Sequence, residues 1–382
     1  MMKDAAYWIT LAHLPKWGYS KINSLIVQFF HEKKITIEEF FQLSESKWKS
    51  DYKLEEKQIG DLNLAKKELS NNAFLAESFL NQGYEILPIT SPEYSRTLKT
   101  NLKTSHAPSV LYVKGNKKML SEKSIAIVGS RAASDHSLQF TDNVAKKACS
   151  EFKVVVSGFA KGVDKQALDS ALKYNGQSII VLPQGIMTFG TGFKNYYKQI
   201  IDGNVLVLST FFPKAPWKAE LAMARNPIIY GLADEIYVAE SSDKGGTWSG
   251  VLDGLKKGRK IFVRKPDANE MNANGTLIAK GACPVDFYGA TTIMTYSTQG
   301  EEKLAVVNEA AELQPLELKI SKILKSKPLT AKELLTKLDL DWTPQKMNKF
   351  LKTLDFIEQQ KEKRINRFKL KGHTELLQKT LF

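Results

Sequence analysis

The chain has little of what builds metal centres and covalent staples. Its 382 residues include two cysteines, Cys149 and Cys283, and five scattered histidines, His13, His31, His106, His136 and His373, without metal-ligand spacing. That argues against a zinc site and a disulfide framework. No stretch reaches the ~18 to 20 uninterrupted apolar residues of a membrane span. The opening Met1-Met2-Lys3-Asp4 runs into amphipathic sequence rather than a signal peptide, so no membrane partner is expected and the cytoplasm is the expected location. A Gly-x-Gly-x-x-Gly fingerprint, a Walker A loop and a nucleophile triad are also missing. The expectation is a protein that binds rather than catalyses, without cofactor or metal.

What is present is positive charge: 55 Lys and Arg against 41 Asp and Glu, a formal net of +14. Such an excess steers polyanions. With no amphipathic anchor or lipidation signal, nucleic acid is favoured over an anionic lipid surface.

The pattern centres on residues 124–182. Three β-branched apolar bursts, Ser124 to Val128, Val154 to Ser157 and Ser178 to Leu182, are separated by helix-length amphipathic runs. That is a βαβαβ unit, whose strands are buried on both faces. Further bursts at 205–209, 235–239 and 260–263 extend it to a doubly wound, Rossmann-like α/β sheet. Before it, residues 1–85 read as a small helical domain. Thr36 and Glu39 form a capping box there, and Leu14 to Gly18 join the first two helices, either as a plain connection in a docking module or as a joint resembling a helix-hairpin-helix in which Lys16 replaces the expected glycine. The sheet domain is assigned to 86–298, a linker to 299–315, and a C-terminal module to 316–382, which carries 16 Lys and Arg against 8 Asp and Glu. In that module a helix from Leu316, a second helix capped by Thr330 and Glu333, a third opened by Thr343-Pro344, and two short strands around a polar tip have the shape of a winged helix-turn-helix. Lys346, Lys349 and Lys352 on its third helix are candidate DNA contacts, and duplex DNA is a candidate partner.

Ligands of open α/β sheets bind at the carboxyl ends of the strands, where helix N-termini receive anions. Two cradles are expected there, Gly129-Ser130-Arg131 and Gly158 with Lys161 and Gly162. Arg131, Lys161, Lys194, Lys218, Arg225 and Arg259 are expected to converge on one cationic rim. Phe159, Phe189, Phe193 and Trp217 are candidate base-stacking planes. Asp164 either serves as a base or completes a helix dipole.

The order Ile-Val-Gly-Ser-Arg, Ser-Gly-Phe-Ala-Lys-Gly-Val-Asp, Leu-Pro-Gln-Gly, Arg225-Asn226, Gly258-Arg259-Lys260 and Gly275-Thr276-Leu277-Ile278 resembles the DNA-processing protein A (DprA, or Smf) family along nearly the whole chain. The resemblance implies an extended Rossmann domain that binds single-stranded DNA without sequence preference, dimerises and loads a RecA-type recombinase during natural transformation. Carried over by position, the implied DNA contacts are Gly129 and Arg131, with Ser130 between them added from the residues themselves, then Ser157, Gly158, Lys161 and Gly162, and the pair Arg225 and Asn226. Arg259 completes them; Lys194, Trp217, Lys218, Gly246 and Thr247 are added from the residues themselves. The chain departs from the family pattern at Thr210, Ala222 and Pro227, where a glutamate, a stacking aromatic and a basic residue are usual. Gly245-Gly246-Thr247 also resembles the phosphate loop of Rossmann-like proteins that sense or hydrolyse nucleotide-derived ligands, which is the alternative reading. The acid those enzymes place after the loop is missing; Trp248-Ser249-Gly250 follow, and Asp253 is the nearest acid.

Overall fold

The apolar bursts line up in one nine-stranded sheet. In chain order its strands are β1 (Glu85–Pro88), β2 (Val110–Gly115), β3 (Ser124–Val128), β4 (Val154–Ser157), β5 (Ser178–Val181), β6 (Val205–Ser209), β7 (Glu235–Val238), β8 (Lys260–Arg264) and β9 (Cys283–Val285). In space they run β1-β2-β6-β5-β4-β3-β7-β8-β9. The structure, a computed structural model, describes residues 4–291, 320, 323–324, 328–338, 340, 342–352, 354, 357–362 and 365–370. The described residues up to 291 form one unit and those from 320 onward a second.

Every residue of β3, β4, β5 and β6 is buried, which is why they read as unbroken apolar runs instead of alternating ones. These strands and β7 to β9 are parallel. β2 is antiparallel to both β1 and β6, so β1 points the same way as β6. The winding reverses at β3, with β4 on one side and β7 on the other. At such a reversal the flanking loops part and leave a crevice beyond the carboxyl ends of the strands.

One face of the sheet packs against helices Asp135–Ser150 and Val163–Lys173 around Ile127, Phe140, Val155 and Val163. The other carries helices Arg96–His106, Ala219–Leu232 and Gly245–Lys256 around Leu98, Val128, Ile229 and Val251. The N-terminal helices build an aromatic core from Trp8, Phe29, Phe40, Trp48 and Phe79 that is continuous with Tyr112 of β2 and Val205 and Val207 of β6. His13 lies in that seam, its Nε2 2.9 Å from the Tyr112 hydroxyl, and burial pushes its pKa down to about 4.

The expected Thr36–Glu39 capping box forms, Thr36 N donating to Glu39 Oε2 at 2.7 Å and Glu39 N to Thr36 Oγ1 at 3.1 Å. Three helices follow, Glu45–Tyr52, Glu56–Lys67 and Leu69–Asn81. Ser44 caps the first of them at Lys47 N, and Lys53 ends it in the left-handed region at φ 55°. Lys16 likewise adopts φ 65° in the first helix joint, and the neighbouring Trp17 ring donates to Asp61 at 2.8 Å.

In the second unit, helices Ala331–Leu338 and Pro344–Leu351 and an antiparallel pair, β10 (Ile357–Glu362) and β11 (Ile365–Leu370), enclose Leu334, Met347, Leu351 and Phe368. The Thr330–Glu333 box is present. β10 runs on to Glu362, so residues expected in the polar tip are paired strand. The expected linker at 299–315 and residues 316–319 of the preceding helix lie outside the described residues, as do the side chains of Lys346 and Lys349; Lys352 is exposed.

Candidate functional site

Loops after β3, β4 and β7 meet at the reversal of winding. Ser130 N donates to Glu240 O at 3.0 Å, and Val163 N to Ser130 O at 3.2 Å. Gly162 has φ 79°, and a Cβ there would collide with the carbonyl oxygens of Ser130 and Arg131, so only glycine lets the first loop rest on the start of the second helix. The Arg131 and Lys161 side chains are thereby presented from adjoining loops, and both are exposed.

The two expected cradles are mostly filled from within. Helix Asp135–Ser150 is capped by Ser134, and Glu240 Oε2 accepts hydrogen bonds from Ser134 N (3.0 Å), Ser134 Oγ (2.8 Å) and Ser137 Oγ (2.8 Å). A carboxylate already sits at that positive helix end. Helix Val163–Lys173 spends its first amide on Ser130 O. Helix Gly245–Lys256, by contrast, starts after Lys244 with no side-chain cap. Gly246 and Thr247 line the crevice, and Thr247 Oγ1 donates to Gly129 O at 3.2 Å.

Two clefts adjoin there. One, of about 530 Å³, is bordered by Gly129, Ser130, Arg131, Lys244, Gly246 and Thr247. The other, of about 370 Å³, is bordered by Phe159, Lys161, Gln184 and Trp217. They share Arg131, Ala160, Ala222 and Arg225 and so form one groove across the ends of β5, β4, β3 and β7. Ala222, where the family pattern has an aromatic, borders both clefts. Trp217 stands on the rim 55% exposed, next to exposed Lys218. Lys244 was missed in the sequence; its position just before an uncapped Gly-Gly-Thr helix start was the available signal.

Other sequence candidates are built into the framework. Arg225 is buried, with Nη1 donating to Val181 O at 3.1 Å and Nη2 to Asp164 Oδ2 at 3.4 Å, and its Nε has no partner. Its guanidinium lies against Gly158, where a Cβ would occupy the same space. Burial pushes the Asp164 carboxyl up and the Arg225 guanidinium down, each opposed by the other's charge. Arginine keeps its proton at any ordinary pH, so Asp164 serves as its counter-ion and not as a free base. Ser157 is buried and donates to Ile127 O at 3.2 Å. Lys194 is exposed on helix Gly190–Asn195 and borders neither cleft. Asn226 is half-buried and reaches the first cleft beside Gly246.

Arg259 corrects the expected convergence on one rim. It precedes β8, so it sits at the amino ends of the strands, opposite the groove. There it donates to Tyr230 O at 2.8 Å and to Ala233 O, closing the carboxyl end of helix Ala219–Leu232. Of the departures, Thr210 is buried, and Pro227 stands exposed inside that same helix.

Beyond β8 the fold assembles a group that sequence spacing hid. Buried Arg264 donates to Ala239 O (3.0 Å), Ser137 Oγ (3.0 Å) and both oxygens of Glu270 (3.0 and 2.7 Å). Burial alone would raise the Glu270 carboxyl, but hydrogen bonds from Arg264 and His136 and the Arg264 charge outweigh it and hold it at about 2. His136, Asp267 and Glu270 have potential ligand atoms within 4.8 Å of one another.

A doubly wound sheet with a cationic groove at its switch point defines a Rossmann-like α/β protein. The family model for DNA recombination-mediator protein A matches residues 85–295, more than half of the chain, and the chain belongs to that family. DNA processing protein DprA of Bacillus subtilis is 30% identical over 216 residues, covering 54% of this chain and 69% of that protein. DprA of Streptococcus pneumoniae is 34% identical over 158 residues, covering 41% of this chain and 55% of that protein. The X-ray structure of Streptococcus pneumoniae DprA shares the fold at a TM-score of 0.54 and 24% identity, over 73% of this chain and 93% of that one.

Proposed function

We propose that the groove binds single-stranded DNA and that the chain acts as a recombination mediator, by binding and not by catalysis. The observation that carries this is the adjoining of the two clefts at Ala222, with Arg131, Lys161 and Lys244 exposed along them and Trp217 half out of the rim. A single strand needs cations that track its backbone and a ring on which a base stacks; the groove offers both. Asp164, the acid among the described residues bordering it, is held by Arg225, which leaves the groove without a free base. The family's description as DNA recombination mediators agrees with this use. Homodimer formation, loading of a RecA-type recombinase, a role in natural transformation and a cytoplasmic location belong to the same proposal. So does duplex contact by a winged helix at 316–382, supported by that segment's excess of Lys and Arg. Among the described residues no helix is long and apolar enough to cross a membrane.

One observation favours a nucleotide ligand instead: the uncapped start of helix Gly245–Lys256 opens into the larger of the two clefts, as phosphate sites do. Fluorescence anisotropy separates the readings. Arg131→Ala and Lys161→Ala are each expected to weaken a labelled single strand and to flatten the salt dependence by about 0.7 in log–log slope per lost contact. Unchanged slopes in both variants, with mononucleotides competing fully for the cleft, would replace the DNA reading with the nucleotide one.

A further inference from the structure

A third cleft lies where the N-terminal helices meet helix Arg96–His106. It encloses about 470 Å³, and three of its bordering residues are basic, His31, Lys99 and Lys103, while none is acidic. Thr90, Thr100 and Thr104 add polar groups. Glu93, on the segment beyond Thr90, is paired with Lys117 at 3.0 Å, and exposed Glu32 follows His31 without bordering the cleft. The Lys99 ammonium has an aromatic neighbour, 5.1 Å over the Tyr94 ring. Burial, with the neighbouring Arg96 charge, lowers the Lys99 pKa, as expected of a cation crowded by like charge and lacking a carboxylate.

The backbone is bent to put Lys103 there. Helix Arg96–His106 breaks at Lys103, which has φ 57° and ψ 175°, a region that glycine occupies and other side chains avoid. Buried Asn23 holds the break. Its Nδ2 donates to Thr104 O at 2.7 Å and Ala107 O at 2.8 Å, and its Oδ1 accepts from Ser109 Oγ at 2.7 Å. A helix continued through Lys103 would dispense with both the strain and the clamp.

Position gives the cleft its meaning. β1 runs parallel to β6 because β2 is antiparallel to both, so the end of β1 and the adjoining Ile89 and Thr90 of the cleft face the same side as the groove. In the sheet order β1 is three strand spacings from β5, roughly 14 Å at the usual inter-strand distance. Exposed Lys214 lies on the segment that leads to Trp217.

We infer that this cleft is a second phosphate subsite, in which Lys99 and Lys103, with His31, hold backbone phosphates of a strand that runs on from the central groove past Trp217. The inference rests on the single-strand reading of that groove, and the experiment keeps the two apart. The full chain with Lys99→Gln and Lys103→Gln together is compared with the unaltered chain by anisotropy, against a short strand of about six nucleotides and a long one of about twenty. The long strand is expected to bind more weakly, with its log–log salt slope reduced by about 1.4 for two lost contacts, and the short strand to bind unchanged. Lys99→Arg with Lys103→Arg is expected to restore the long-strand slope. An unchanged long strand, or equal loss on both lengths, overturns the subsite. Arg131→Ala alongside reports on the groove itself: it should weaken both lengths, and its failure to do so would sink the central reading without touching the lysine result.

Discussion

At the carboxyl ends of β3 and β4, Arg131 and Lys161 stand exposed over an open groove; at the amino ends of β7 and β8, Arg259 is half-buried and spends its guanidinium on the carbonyls of Tyr230 and Ala233. Both regions are basic in sequence, yet Arg131 and Lys161 face the groove while Arg259 is turned to framework carbonyls. Arg225 sharpens the contrast. It lies at the groove end, but Val181 O and Asp164 claim it from below. What decides whether an arginine binds ligand or framework is the set of acceptors the fold brings within reach, since a buried guanidinium without partners is costly.

The largest expected effect breaks the buried side of this comparison. Arg225→Ala leaves the Asp164 charge buried and unpaired, and a loss of roughly 3 to 5 kcal/mol in stability is expected by denaturant unfolding; a loss under about 1 kcal/mol would mean that Arg225 is a free groove residue. Next is acid sensitivity at the Arg264–Glu270 pair. The folded Glu270 pKa is about 2 against 4.5 for the unconstrained group, so its contribution is full above about pH 4.5 and lost as pH falls toward 2. Glu270→Gln should flatten the stability profile across that window, and an unaltered profile would contradict the assignment. Arg259→Ala is expected to cost about 1 to 3 kcal/mol in stability by leaving helix-end carbonyls unmet, with the DNA salt slope unchanged; a flattened slope would return Arg259 to the ligand side. Trp217→Ala should do the reverse, costing about 1 to 3 kcal/mol in strand binding with stability kept within about 0.5 kcal/mol. An intact affinity would remove base stacking from that rim.

The strands were legible because burial on both faces writes them as β-branched runs, and the Thr36–Glu39 and Thr330–Glu333 boxes were legible because capping is local. Arg131 and Lys161 were legible because each follows a strand end directly. The fate of Arg225 was not, since Asp164 lies 61 positions away and only the closed sheet brings them together. Arg259 was placed on the wrong end although its position before β8 held the answer, for in a parallel sheet residues before a strand lie opposite those after it. The bend at Lys103 was invisible because its cause, Asn23, belongs to a different helix. Ala222 reads in the sequence as a lost aromatic; in the fold it borders both clefts.

The most direct test of the central claim is the anisotropy of labelled single-stranded and double-stranded oligonucleotides of equal length, titrated with the full chain over a salt series. The groove predicts a preference for the single strand that persists at physiological salt, because stacking on Trp217 is not screened as phosphate contacts are. Equal binding of both forms that vanishes together as salt rises would leave only undirected charge, and would contradict the account.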